Sequence, residues 1–189
     1  MCYCCMPASS QVLPFSGYGK SYCLQIEKRM DKKKATKIIS LLILIFVVFI
    51  YIADWSAVGI YAGCRLSCRF LYPFYHANLL HVALNAWCLL SIIFMYDISL
   101  FRLTLAYIIA VSIPSFFLSD IPTVGLSGVI YALFGSISLE VQRKVYYQLW
   151  MLAYIILGFL FPNTNGWVHL YCYTAGVIIA LLNKPIKIG

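Results

Sequence analysis

Charge is what this chain has least of. Of its 189 residues only 11% are charged, against about 25% in an average soluble domain, and 63% are hydrophobic. That balance excludes a water-soluble globule. Histidines number three, and Asp and Glu together six. The net charge of +8 does not mark a nucleic-acid surface, because the basic residues sit in short clusters between apolar stretches and form no face. Internal repeats are absent as well. Cys2, Cys4 and Cys5 lack the paired spacing of a zinc site and have no histidine nearby. Cys64 and Cys68 stand four apart in a loop, where a disulfide and two buried thiols are both open readings. No secretory signal fits, since the first basic run lies too far in and no small-residue cleavage site follows the apolar stretch.

What the chain does have is long apolar stretches, enough for about six membrane spans. They are expected near residues 38–53, 76–96, 103–118, 127–139, 146–161 and 168–182. Residues 54–75 form a long aromatic connection, suited to lying in the membrane interface. The expected architecture is all-α, a multi-pass membrane domain over residues 36–184. It is preceded by a disordered or mis-called N-terminal extension, residues 1–35, and followed by a short tail, residues 185–189. Lys20, Lys28, Arg29, Lys32, Lys33, Lys34, Lys37, Arg102, Arg143, Lys144, Lys184 and Lys187 would share the cytoplasmic side, with only Arg65 and Arg69 opposite. The positive-inside rule then puts both termini in the cytoplasm.

Polar groups inside spans are costly and are functional candidates by default. Their depths follow from the helical rise. Ser127 is 16 residues from Arg143, so roughly 24 Å above it. His169 is 15 residues from Lys184, roughly 22 Å above. His81 is 16 residues from Asp97, again roughly 24 Å. Asn85 lies one turn deeper and His76 near the outer surface. Three spans thus bring a serine, two histidines and an asparagine to one level.

Taken alone, Ser127 at a helix start has two readings, a cap for the first free N–H groups or a nucleophile beside them. The companions at the same depth favour chemistry. A histidine can take the serine proton as general base and return it as acid. His81, Asn85 and the Ser127 N–H can donate to an oxyanion. Only Asp54 and Asp120 lie on the outer side, both in loops, so the expectation is a Ser127–His169 dyad without a carboxylate. His76 and His81 are five apart, off one helix face, and no glutamate is near, so no metal site and no cofactor is expected.

These residues resemble the motifs of the rhomboid intramembrane serine proteases. The match lies in His76-Ala77-Asn78-Leu79-Leu80-His81-Val82-Ala83-Leu84-Asn85, in Gly125-Leu126-Ser127-Gly128, and in His169. Tyr131 matches an aromatic that stacks on the catalytic histidine, and Asp97 an acidic residue closing the second span. The chain departs from the family where Cys68-Arg69 replaces a Trp-Arg pair. It departs again where Cys172 replaces the first of two small residues after the histidine, Gly176 being kept.

The resemblance implies a six-helix bundle that cleaves transmembrane-helix substrates near their outer ends, within the lipid bilayer. Ser127 would be the nucleophile and His169 the base and acid, with His81 and Asn85 in the oxyanion hole. Gly125, Gly128, Tyr131, His76 and Gly176 would support them. Water would enter from the non-cytoplasmic side, and substrate beside the fifth span. Phe161, Trp167 and the loop over residues 162–166 would form a mobile cap. A bacterial plasma membrane is the expected location. The alternative is a catalytically inactive relative that binds transmembrane helices. A small transporter would predict pseudo-repeats, which are not seen.

Overall fold

The computed structural model describes residues 16–50, 57–161 and 164–182. Among them the chain is all-α, with one isolated bridge between Ile60 and Thr123. The helices are α1 (Ser16–Phe49), α2 (Leu66–Leu71), α3 (Leu79–Met95), α4 (Leu100–Val111), α5 (Ser127–Ile137), α6 (Lys144–Leu160) and α7 (Gly166–Leu182). Short 3₁₀ turns cover Tyr72–Phe74 and Ser115–Phe117.

Two expectations need correction. Helix α1 begins at Ser16, so residues 16–35, expected to lie in a disordered or mis-called extension, are helical. They are rich in Lys, Arg, Gln and Glu, which are good helix formers without an apolar face. Residues 1–15 and the tail 185–189 lie outside the described residues, as do Asp54, Trp55, Lys184 and Lys187. The span expected over residues 103–118 stops being α-helical at Val111. Pro114 lacks an amide hydrogen and disfavours helix at Ile113, so the apolar stretch continues as an irregular segment. His76 precedes α3 and is not on it, because Asn78 takes the cap position and its side chain accepts from His81 N at 2.9 Å.

No single helix among the described residues is long and apolar enough to cross a membrane. One bent pair qualifies by length and composition, the segment Leu66–Phe74 with α3, and its two parts meet at 81°. α2 therefore runs across the end of α3. Large apolar side chains nevertheless cover the outside of the bundle, with Trp87 74% and Val145 76% exposed. In water such a surface would aggregate.

The core gathers around α5, where eight of the eleven residues are buried. Its tightest neighbour is α7. A Cβ built on Gly176 would fall 2.2 Å from the Ala132 carbonyl oxygen, and one on Gly135 2.2 Å from that of Tyr173. Backbone touches backbone at this crossing, which only glycine permits. On α1, Thr36, Ser40, Leu44 and Val47 are buried at helical spacing, and α1 packs against α3 and α4. Two ion pairs sit where α3 ends and α4 begins, Lys33–Asp97 at 2.5 Å and Arg102–Glu140 at 2.7 Å.

Candidate active site

The segment leading to Ser127 is held by the connection that precedes α3. Ile60 and Thr123 exchange backbone hydrogen bonds at 2.9 Å, and Ala62 N donates to Ser119 O at 2.9 Å. Arg69 ties the same connection to the end of α4, donating to Ile113 O at 2.5 Å and to Ser115 Oγ at 2.8 Å. Tyr72, fully buried, donates from its hydroxyl to Ala110 O at 3.1 Å, and its backbone carbonyl accepts from Gly125 N at 2.9 Å. Burial pushes the Tyr72 phenol well above its ordinary range, so it stays a neutral donor. His76 completes the cradle, its Nε2 accepting Leu126 N at 3.3 Å. A ring nitrogen that accepts carries no proton, so His76 is neutral and acts as a brace.

The chain then turns at Gly125, with φ +125°, and α5 starts at Ser127. Leu126 is the N-cap and receives no side-chain cap. The Ser127 hydroxyl points elsewhere, to His169 Nε2 at 3.1 Å. Tyr131, one turn on, lies flat against the same imidazole, with centroids 4.2 Å apart and planes at 14°. The other ring nitrogen, His169 Nδ1, is buried and has no hydrogen-bond partner among the described residues. Asp120 is exposed, and among the described residues no carboxylate meets the imidazole.

His81 and Asn85, four apart on α3, face the turn. A Cβ built on Gly125 would fall 2.6 Å from His81 Cε1 and 3.6 Å from Asn85 Nδ2. Asn85 is buried with Nδ2 unpartnered, a poised donor that the resting fold does not use. The His81 and His76 rings meet edge to face at 5.0 Å. Gly128 sits under Tyr72, where a Cβ would come 2.8 Å from its hydroxyl and 3.5 Å from Cys172 Sγ. Cys172 is fully buried there. Cys64 and Cys68 are free thiols, so the disulfide reading is not realised.

Several contributors escaped sequence reasoning. Asn165 caps α7, its Oδ1 accepting Trp167 N at 3.1 Å and Val168 N at 3.3 Å. The Thr164 hydroxyl lies 2.6 Å from Gly158 O and 2.9 Å from Phe161 O, closing the end of α6. Asn165 ahead of a helical apolar run is a legible cap signal. Tyr72 carries no signal, because its partners are distant in sequence. Of the expected cap loop, residues 162 and 163 lie outside the described ones, while Trp167 stacks on Phe117 at 5.8 Å.

The arrangement can thus pass a proton between a serine and a histidine beside the unpartnered Asn85 Nδ2. No curated protein matches the chain in a sequence search. The Rhomboid domain family model matches residues 63–185, which include His76, His81, Asn85, Gly125, Ser127, Tyr131 and His169. The chain belongs to the rhomboid family, whose members are integral membrane proteins.

Proposed function

We propose that this protein is an intramembrane serine endopeptidase that cuts transmembrane segments near their outer ends. The observation that carries the reading is the 3.1 Å contact between Ser127 Oγ and His169 Nε2. Nε2 accepts the hydroxyl proton as Ser127 attacks the scissile carbonyl, and returns it to the leaving amine. This requires the Nδ1–H tautomer of His169. Negative charge developing on the carbonyl oxygen is met by Asn85 Nδ2, by the His81 ring and by the Ser127 N–H at the start of α5.

The apolar outer surface supports a bilayer setting. Helix α5 is eleven residues long, or roughly 16 Å against a hydrocarbon core of about 30 Å. A serine at its N-terminus therefore sits inside the membrane if its other end reaches the far side. Arg143 and Lys144 follow that other end, and the Lys33–Asp97 and Arg102–Glu140 pairs cluster with the α3–α4 boundary. On the positive-inside rule that end is cytoplasmic, and the site opens to the opposite side of a plasma membrane. The reading needs no metal or cofactor.

The test is cleavage of a model transmembrane substrate by the purified protein in liposomes. Wild type should cut, and Ser127→Ala and His169→Ala should not. Ser127 should also react with a fluorophosphonate, and the label should vanish in His169→Ala. Cleavage by Ser127→Ala at the wild-type rate would sink the proposal. Substrate binding without cleavage or labelling in the wild type would favour an inactive helix-binding relative.

A further inference from the structure

In a serine–histidine–aspartate triad the carboxylate holds the imidazole through Nδ1–H and so fixes its tautomer and angle. Here Nδ1 of His169 is buried without a partner. What lies against that edge is α6. A Cβ built on Gly158 would come 2.8 Å from His169 Nδ1, closer than a real side chain tolerates, and would touch Cε1 at 3.6 Å. Gly158 is itself buried, and its built Cβ would also approach Gly166 Cα at 3.5 Å.

We propose that Gly158 is a positioning residue for His169. Its bare Cα forms a wall against the Nδ1 edge and does by packing what the carboxylate of a triad does by hydrogen bonding. The inference rests on the protease reading. The imidazole is then bounded on three sides: Tyr131 covers one face, Ser127 meets Nε2, and Gly158 closes the Nδ1 edge. Rotation about the ring's attachment bond would drive Nδ1 or Cε1 into α6, so the base keeps Nε2 aimed at Ser127.

The wall is itself held. The Thr164 hydroxyl grips Gly158 O, and the next residue, Asn165, caps the first turn of α7. The end of α6 and the start of α7 are thereby clasped across two adjacent side chains, directly above the base. Any shift of α6 away from α7 takes the wall with it. The position of α6 therefore sets the readiness of the base as well as the width of the bundle.

The experiment compares wild type, Gly158→Ala, Thr164→Val and Val145→Ala in liposomes. It measures kcat and KM on a transmembrane substrate and the rate at which a small fluorophosphonate labels Ser127. Folded fraction is read from thermal unfolding. Gly158→Ala should lower kcat and the labelling rate together, by about 10²-fold for a displacement near 1 Å, with KM unchanged. Thr164→Val should move both in the same direction by less. Val145→Ala, exposed on the same helix, should match wild type. Wild-type labelling in folded Gly158→Ala, or a loss confined to KM, overturns the proposal. Should Gly158→Ala fail to fold, Thr164→Val with unchanged kcat and labelling does so. An active wild type keeps the protease reading in either case, whereas a wild type that neither cuts nor labels removes both.

Discussion

The imidazole of His81 occupies the space that a side chain on Gly125 would need. The built Cβ would fall 2.6 Å from His81 Cε1 and 2.8 Å from Nε2. The turn at Gly125 and the donor from α3 are thus one packed unit, in which each residue fixes the other.

Replacing Gly125 by alanine should therefore harm the site twice. Its φ of +125° is strained for any residue with a Cβ, costing about 1–3 kcal/mol. The methyl would also push the His81 ring from the turn. The expected result is a small loss of thermal stability in detergent and a large loss of kcat. A Gly125→Ala protein with normal kcat would show that His81 is not needed where it now sits.

Asn85→Ala should separate catalysis from stability. Asn85 Nδ2 is buried without a partner, so the resting fold gains no hydrogen bond from it. An oxyanion donor, by contrast, contributes about 10²–10³-fold to kcat. The variant should cut 10²-fold or more slowly, by order of magnitude, while unfolding at or above the wild-type temperature. Equal losses in both measurements would assign Asn85 to structure.

Tyr131 should act through its ring and not its hydroxyl. The stacked contact with His169 at 4.2 Å survives in Tyr131→Phe, which should retain nearly full kcat. Tyr131→Ala opens a half-buried cavity and frees one face of the base. Loss of a large aromatic costs about 3–5 kcal/mol when fully buried, and less is expected at this half-buried position. Kinetics per folded molecule decide the point, since a ring-only role predicts that Phe and Ala differ.

Gly176→Ala should weaken the bundle at its tightest crossing. The new methyl would meet the Ala132 carbonyl oxygen at 2.2 Å, and overpacking of this kind costs about 1–3 kcal/mol or more. Cys172→Gly, at a contact with no such overlap, should cost less than Gly176→Ala. Denaturation of the two proteins in mixed micelles checks the order.

The candidate site of this chain is legible for a plain physical reason: inside apolar spans, every polar side chain stands out. Counting helical rise puts Ser127, His169, His81 and Asn85 at one level, and the structure brings them around one turn. The scaffold was less legible. Apolar composition carried the third span through residue 118, yet Pro114 stops it, so hydropathy outlasts the helix. Helix α1 reaches back to Ser16 through helix-forming polar residues that leave no periodic trace. The cap at Asn165 is readable from its place ahead of an apolar helical run. Arg69 with Ile113, or Ile60 with Thr123, could not be read at all. In each pair at least one partner is a backbone group far away in sequence, and backbone groups have no residue-type signature.

Helix α5 meets its neighbours on almost every side, with eight of eleven residues buried. In a bilayer its solvent is then protein and not lipid. A thicker or thinner membrane acts first on the outer helices, whose side chains face the acyl chains, and reaches Ser127 only through them. Helix α5 is insulated from its host membrane. Lipid composition should alter how substrates arrive much more than how the serine and histidine face each other.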